Sequence, residues 1–138
     1  MGYVCAAQQK WQEAIAYYHK ALTIRIDIWG KNHSSVATVY NNIGNLYASQ
    51  SDLPKAIKYL SEALDIKKSI YGENSHSLAN TYVSLGNVYG RMEGEKEKAL
   101  LFFQKALDIY KATIGENNES VRLLLQDMER VRETTVGK

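Results

Sequence analysis

The residues that could do chemistry are few and scattered. His19, His33 and His76, the single Cys5 and the run His33-Ser34-Ser35 are the first places to look for metal binding or nucleophilic attack. No two histidines have the i, i+4 spacing that puts two ligands on one helix face. His33-Ser34-Ser35 has no acidic residue beside it to orient the imidazole and no turn that could form an oxyanion hole. It reads better as a linker that caps a helix. Cys5 aligns with two tyrosines at a packing position and reads as an inert core thiol. The glycines lie too far apart to form a phosphate-cradling loop. The expectation is a protein that is not an enzyme and carries no cofactor and no metal.

A stripe of hydrogen-bonding groups is more promising. Thr38, Asn41, Asn42, Asn45 and Ser49 share one helix face, and 42 positions later the same places hold Asn80, Val83, Ser84, Asn87 and Arg91. A third copy reads Leu123, Gln126, Asp127, Arg130 and Thr134. An Asn side chain offers two donors and an acceptor, so rows of such groups can grip an extended or helical peptide without demanding one side chain. The candidate peptide-binding residues are Thr38, Asn41, Asn42, Asn45, Ser49, Asn80, Ser84, Asn87, Arg91, Gln126 and Arg130. Asn45 and Asn87 admit a second reading, as spacers bonded to neighbouring helices.

The elements that must hold this stripe announce themselves by repetition. Lys20-Ala-Leu-Thr-Ile, Glu62-Ala-Leu-Asp-Ile and Lys105-Ala-Leu-Asp-Ile each lead to a glycine, at Gly30, Gly72 and Gly115, spaced by 42 and 43 positions. A fixed period in this range marks a repeat architecture. Within each unit, apolar residues recur at helical spacing: Trp11, Ala14, Ile15, Tyr18, Ala21, Leu22 and Ile28, then Val36, Tyr40, Ile43, Leu46 and Tyr47, then Ala56, Ile57, Leu60, Ala63, Leu64 and Ile66. The pattern continues through Leu78, Tyr82, Leu85 and Tyr89, then Ala99, Phe103, Ala106 and Leu107, and ends with Val121, Leu124, Leu125, Met128 and Val131. Each glycine supplies a helix stop, the polar linkers after it are capping-competent, and Pro54 suits a first helical turn.

About seven helical segments follow from this count. The first is half of a helix over residues 1–10, as though the chain began in mid-repeat, and the expectation is a fragment of a longer protein. The predicted organisation is a single repeat domain over 1–134: a partial first repeat (1–30), a second (34–72), a third (76–115) and a C-terminal capping helix (119–134). Residues 135–138 are expected to fray. In the last helix Glu129 and Arg132 take the places of a glycine and a tyrosine, which suits a solvated cap, because charges there are costly to bury.

Tyr40-x-x-Ile-Gly44-x-x-Tyr47, Tyr82-x-x-Leu-Gly86-x-x-Tyr89, Ala56-x-x-x-Leu60 and Ala99-x-x-x-Phe103 together resemble the tetratricopeptide repeat. The physics agrees, since a large ring on one helix needs a Gly or Ala opposite. The 42-residue unit, with Ala63 to Gly72, Asn32-His33, Val36-Ala37 and Asn41-Asn42-Ile43-Gly44, is similar to the kinesin light chain type of repeat, which many other proteins also carry. The resemblance implies an all-α fold, a right-handed α-solenoid of antiparallel helix pairs, with the stripe lining its concave groove. Some repeats of this fold grip a C-terminal carboxylate with Lys and Arg; the matching positions here, Asn80 and Ser84, are uncharged, which speaks against that activity.

Composition narrows the partners. Lys and Arg total 17 against 15 acidic residues, a net charge of +2, with no long run of one sign. That is too little and too scattered for nucleic acid. No apolar run is long enough for a membrane span, no signal-peptide pattern opens the chain, and a single cysteine fits a reducing, cytoplasmic compartment. The functional expectation is a scaffold or adaptor that binds a peptide segment of a protein partner, without nucleic acid or membrane. The alternative is a self-associating structural spacer, a homo-oligomer formed through an open N-terminal end exposing Val4, Cys5 and Trp11.

Overall fold

The computed structural model describes residues 2–72, 75–113, 115 and 118–133, with residues 2–9 described by their backbone alone. The readings of Val4 and Cys5 as contact or core side chains, and of the tail beyond Glu133, fall outside these residues. The described part is all-α. Its six helices are α1 (Gly2–Trp29), α2 (Ser34–Ser49), α3 (Leu53–Tyr71), α4 (His76–Gly90), α5 (Lys96–Thr113) and α6 (Glu119–Glu133).

The count is one short of seven because α1 is continuous where a half-helix and a turn were expected. The later hairpins turn at Ser51-Asp52, where Ser51 has φ +64°, and at Gly94, with φ +80°. The equivalent stretch before Trp11 is Gln8-Gln9-Lys10, three good helix formers with nothing to favour the left-handed conformation. The glycine stops behave as their spacing implied. Gly30, Gly72 and Gly115 have φ of +84°, +86° and +89°, and their amides return to Ile26 O (2.8 Å), Lys68 O (2.9 Å) and Tyr110 O (3.1 Å).

The chain divides into two compact units, residues 1–66 and 67–138, with α3 running through the boundary. In the first unit, Val36, Ala37, Val39, Ile43 and Tyr47 bury one face of α2. Gly44 lets α3 approach: a Cβ there would stand 2.6 Å from Leu60 Cγ and 3.1 Å from the Leu60 amide nitrogen. Tyr59 stacks on Tyr47 at 5.6 Å and 9°, and Trp11 meets Tyr47 edge-on while its Nε1 donates to Leu46 O at 3.3 Å. Trp11 is therefore engaged inside its own unit.

In the second unit, Leu78, Tyr82, Leu85 and Val88 bury the matching face of α4. Gly86 faces Phe103, whose Cε1 would lie 2.7 Å from an added Cβ. Phe103 is fully buried, which is worth roughly 1.5–3 kcal/mol relative to exposure. Phe102 stacks on Tyr89 at 5.5 Å and 11°, as Tyr59 does on Tyr47. Val121, Leu124, Met128 and Val131 form the buried face of α6, while Glu129 and Arg132 are exposed. Ile28 and Leu125, which share the helical pattern, are also exposed.

Candidate functional site

On α2 the stripe lies where the buried face leaves off. Thr38, Asn42, Asn45 and Ser49 are exposed and Asn41 is half-buried. Two of the five are partly occupied by their own helix: Thr38 Oγ1 donates to Ser34 O (3.1 Å) and Ser49 Oγ to Leu46 O (2.6 Å). Such back-bonds use the hydroxyl hydrogen and leave only acceptor capacity. The Asn42 and Asn45 carboxamides have no hydrogen-bond partner among the described residues.

The helix start is set by His33, the N-cap of α2, whose Nδ1 accepts from the Ser35 amide at 3.1 Å. That bond satisfies one of the donors every helix leaves open at its N-terminus. The ring also stacks on Trp29 at 4.8 Å. Among the described residues no three or more His, Cys, Asp or Glu gather in a way that could hold a metal ion.

In the second unit the stripe divides into two parts. Asn87 of α4 and Arg91, the C-cap that follows it, meet Asp127 and Arg130 of α6 around a cleft of about 570 Å³, completed by Gly90 and Val131. Gly90 leaves room for Val131, since a Cβ there would meet Val131 Cγ2 at 3.1 Å. Arg130 is paired with Asp127 one turn before it. The lining thus carries two guanidinium groups against one carboxylate, together with the exposed carboxamide of Asn87. Guanidinium and carboxamide N–H groups of this kind donate to oxygen acceptors. Gln126 is exposed and Ser84 half-buried, both outside the cleft lining. Leu123, one turn before Asp127 on the same helix, is 53% exposed.

At the other end of α4 the stripe begins with Asn80, which is not left to solvent alone. Lys67, only 9% exposed, reaches Thr81 Oγ1 at 2.8 Å and Asn80 Oδ1 at 3.3 Å. Thr81 is fully buried, and its Oγ1 lies 3.5 Å from Asn80 Oδ1. Burial pushes the Lys67 ammonium below the usual lysine range. Sequence reasoning missed this group, although a signal existed. Leu60, Ala63, Leu64 and Lys67 follow one another at spacings of three, one and three, so the lysine continues a core stripe. It also missed Gly90 and its closeness to Val131, a periodic core position of α6, because that contact depends on how α6 packs.

No helix among the described residues is long and apolar enough to cross a membrane. A family model described as tetratricopeptide repeat matches residues 1–69 and 35–112. No curated protein sequence matches the chain. Among solved structures, BtubC (BKLC) from P. vanneervenii is similar with a TM-score of 0.80 at 23% identity, over 91% of this chain and 50% of that one. A putative kinesin light chain of Podosopora anserina with nearly identical TPR-like repeats follows in two structures. One, of a variant with a single substitution, has a TM-score of 0.74 at 15% identity, over 96% of this chain and 62% of that one. The other gives 0.72 at 15%, with 96% and 63% covered. The chain thus spans half to about three fifths of the solved structures it matches. At these identities the likeness establishes the fold, that of kinesin light chain-like repeats, and nothing about partners.

Proposed function

The chain belongs to the tetratricopeptide repeat family, a fold that generally serves protein–protein interaction, and from that premise we propose that it binds a peptide segment of a partner protein. The candidate contacts are the cleft between α4 and α6 in the second unit and, taken by itself, the exposed stripe of α2 in the first, and the role is that of a cytoplasmic adaptor or scaffold. The observation that carries this reading is the cleft. Four polar stripe positions, Asn87, Arg91, Asp127 and Arg130, converge on one concavity, with an apolar neighbour in Leu123. Pockets with a few convergent polar groups beside apolar surface are the usual form of a ligand site. The exposed carboxamides of Asn42 and Asn45, without a hydrogen-bond partner among the described residues, support it.

The test uses the triple variant Asn45→Ala, Asn87→Ala, Arg91→Ala and a short capped peptide alternating Leu and Glu. Anisotropy of the labelled peptide should show binding to the wild type and none to the variant, with helicity and melting temperature unchanged. Equal affinity for both proteins overturns the reading.

Self-association remains a second reading because of α1. Tyr17, Ile24 and Ile28 are 69%, 54% and 62% exposed and fall seven and four residues apart on one face. Contiguous apolar surface of that kind invites a copy of the chain. Light scattering across a concentration series decides it: a strict monomer at high concentration removes this reading.

A further inference from the structure

Asn80 is a carboxamide of the stripe whose orientation the molecule itself dictates. An Asn side chain is ordinarily ambiguous, because its oxygen and nitrogen ends are nearly interchangeable in shape and only the hydrogen-bond network tells them apart. Here the network has one solution. The Lys67 ammonium has three hydrogens and no lone pair, so whatever faces it must accept. Nζ sits 3.3 Å from Asn80 Oδ1 and 2.8 Å from Thr81 Oγ1. Oδ1 is thus the end of the carboxamide that faces Lys67, and the Nδ2 hydrogens are left to the exposed side of α4.

From this, and resting on the reading that the stripe binds a peptide, we infer that Lys67 is a positioning residue for recognition. It locks Asn80 with its amide hydrogens outward, so that this end of the second unit presents donors alone and selects oxygen acceptors, carbonyl or carboxylate, on the bound segment. The same preference holds at the other end of α4, where the cleft carries the Arg91 and Arg130 guanidinium groups. Lys67 itself touches no ligand. It acts from within the protein, through Asn80.

The first unit has no such device, and the contrast isolates it. Arg25 stands at the position of Lys67, Thr38 at that of Asn80 and Val39 at that of Thr81. Arg25 Nη1 donates to the Ser35 carbonyl at 2.9 Å, so its charge serves the backbone at the start of α2. Thr38 turns its hydrogen back on Ser34 O. That end of the α2 stripe offers an acceptor, where the α4 stripe offers donors.

The experiment follows the side-chain amide of Asn80 by nitrogen relaxation in the whole, labelled chain, with the unbonded Asn42 and Asn45 as internal references. In the wild type, Asn80 should be distinctly more ordered than both. Lys67→Met should release it to their level, and Lys67→Arg, which still donates, should retain most of the order. Titration with the capped Leu/Glu peptide should shift the Asn80 amide in the wild type. Lys67→Met should weaken binding about three- to tenfold, the worth of roughly one hydrogen bond. A capped Leu/Lys peptide, which offers backbone carbonyls but no carboxylate, should bind more weakly than the Leu/Glu peptide.

Asn80 as mobile as Asn45 in the wild type, or unchanged order in Lys67→Met, overturns the positioning role. An ordered Asn80 in a protein that binds neither peptide contradicts the peptide reading, and the acceptor preference with it. Asn80→Asp supplies a second route should Lys67→Met fold poorly. A carboxylate in place of the carboxamide meets the ammonium and should raise the melting temperature, and a lowered one would mean that Lys67 does not face this side chain, which overturns the positioning role.

Discussion

The two units meet the same packing demand with different parts. Both carry a glycine in the first helix of a pair, directly under a large side chain of the second. Gly44 lies under Leu60, whose branch point and backbone are the obstacles, and Gly86 lies under the ring of Phe103. Both stack one aromatic of the second helix on a tyrosine of the first, Tyr59 on Tyr47 and Phe102 on Tyr89. They part company on the polar positions. The first unit places Arg25, Thr38 and Val39 where the second has Lys67, Asn80 and Thr81. The backbone approach leaves little choice of residue, whereas the exposed face tolerates many. The stripe is therefore where the repeats can differ without disturbing how they pack.

Forcing the close approach apart should do the most damage. Gly44→Leu and Gly86→Leu are each expected to cost more than about 3 kcal/mol, because the added side chain must displace fully buried neighbours. Gly72→Ala should cost only about 1–2 kcal/mol, since its penalty is the left-handed backbone alone and nothing lies within 4 Å of the added Cβ. Midpoints of urea unfolding with unchanged slopes measure these, and a Gly86→Leu protein as stable as wild type would mean the α4–α5 packing is misassigned.

Exchanging the plugs asks whether the two glycine pockets are interchangeable. Leu60→Phe should overpack the first by about 1–3 kcal/mol. Phe103→Leu should leave a void in the second at a cost of about 1–2 kcal/mol. Two neutral exchanges would erase the distinction between the units.

The basic pair should separate more gently. Arg25→Met is expected to lose about 1 kcal/mol, the worth of its bond to the Ser35 carbonyl. Lys67→Met should fall within about 0.5 kcal/mol of wild type, because relief from burying an ammonium that meets only neutral oxygens offsets the lost hydrogen bonds. Thermal melts of both variants check this, and equal losses would mean that Lys67 serves the fold as Arg25 does.

Much of the architecture was legible beforehand, for reasons the residues make plain. Helix stops at Gly30, Gly72 and Gly115 need positive φ, and few other residues supply it at low cost. The buried faces of α2, α4 and α6 follow the helical period, and the candidate stripe falls just beside them. What escaped was non-periodic. The unbroken α1 depended on the lack of a turn former before Trp11, which a repeat alignment overlooks. The cleft depended on Gly90 meeting Val131, a contact between helices far apart in sequence. Lys67 was hidden because a lysine reads as surface until its neighbours at three and seven residues are seen to be core.

The most direct test of the whole account is a map of amide shifts on the wild-type chain as the capped Leu/Glu peptide is added. The account predicts that the largest changes fall on the side chains of Asn80, Asn87 and Arg91 and on the α6 backbone from Gln126 to Arg130. Changes confined to the outer face of α1 around Tyr17 and Ile24, or to α5, would contradict it.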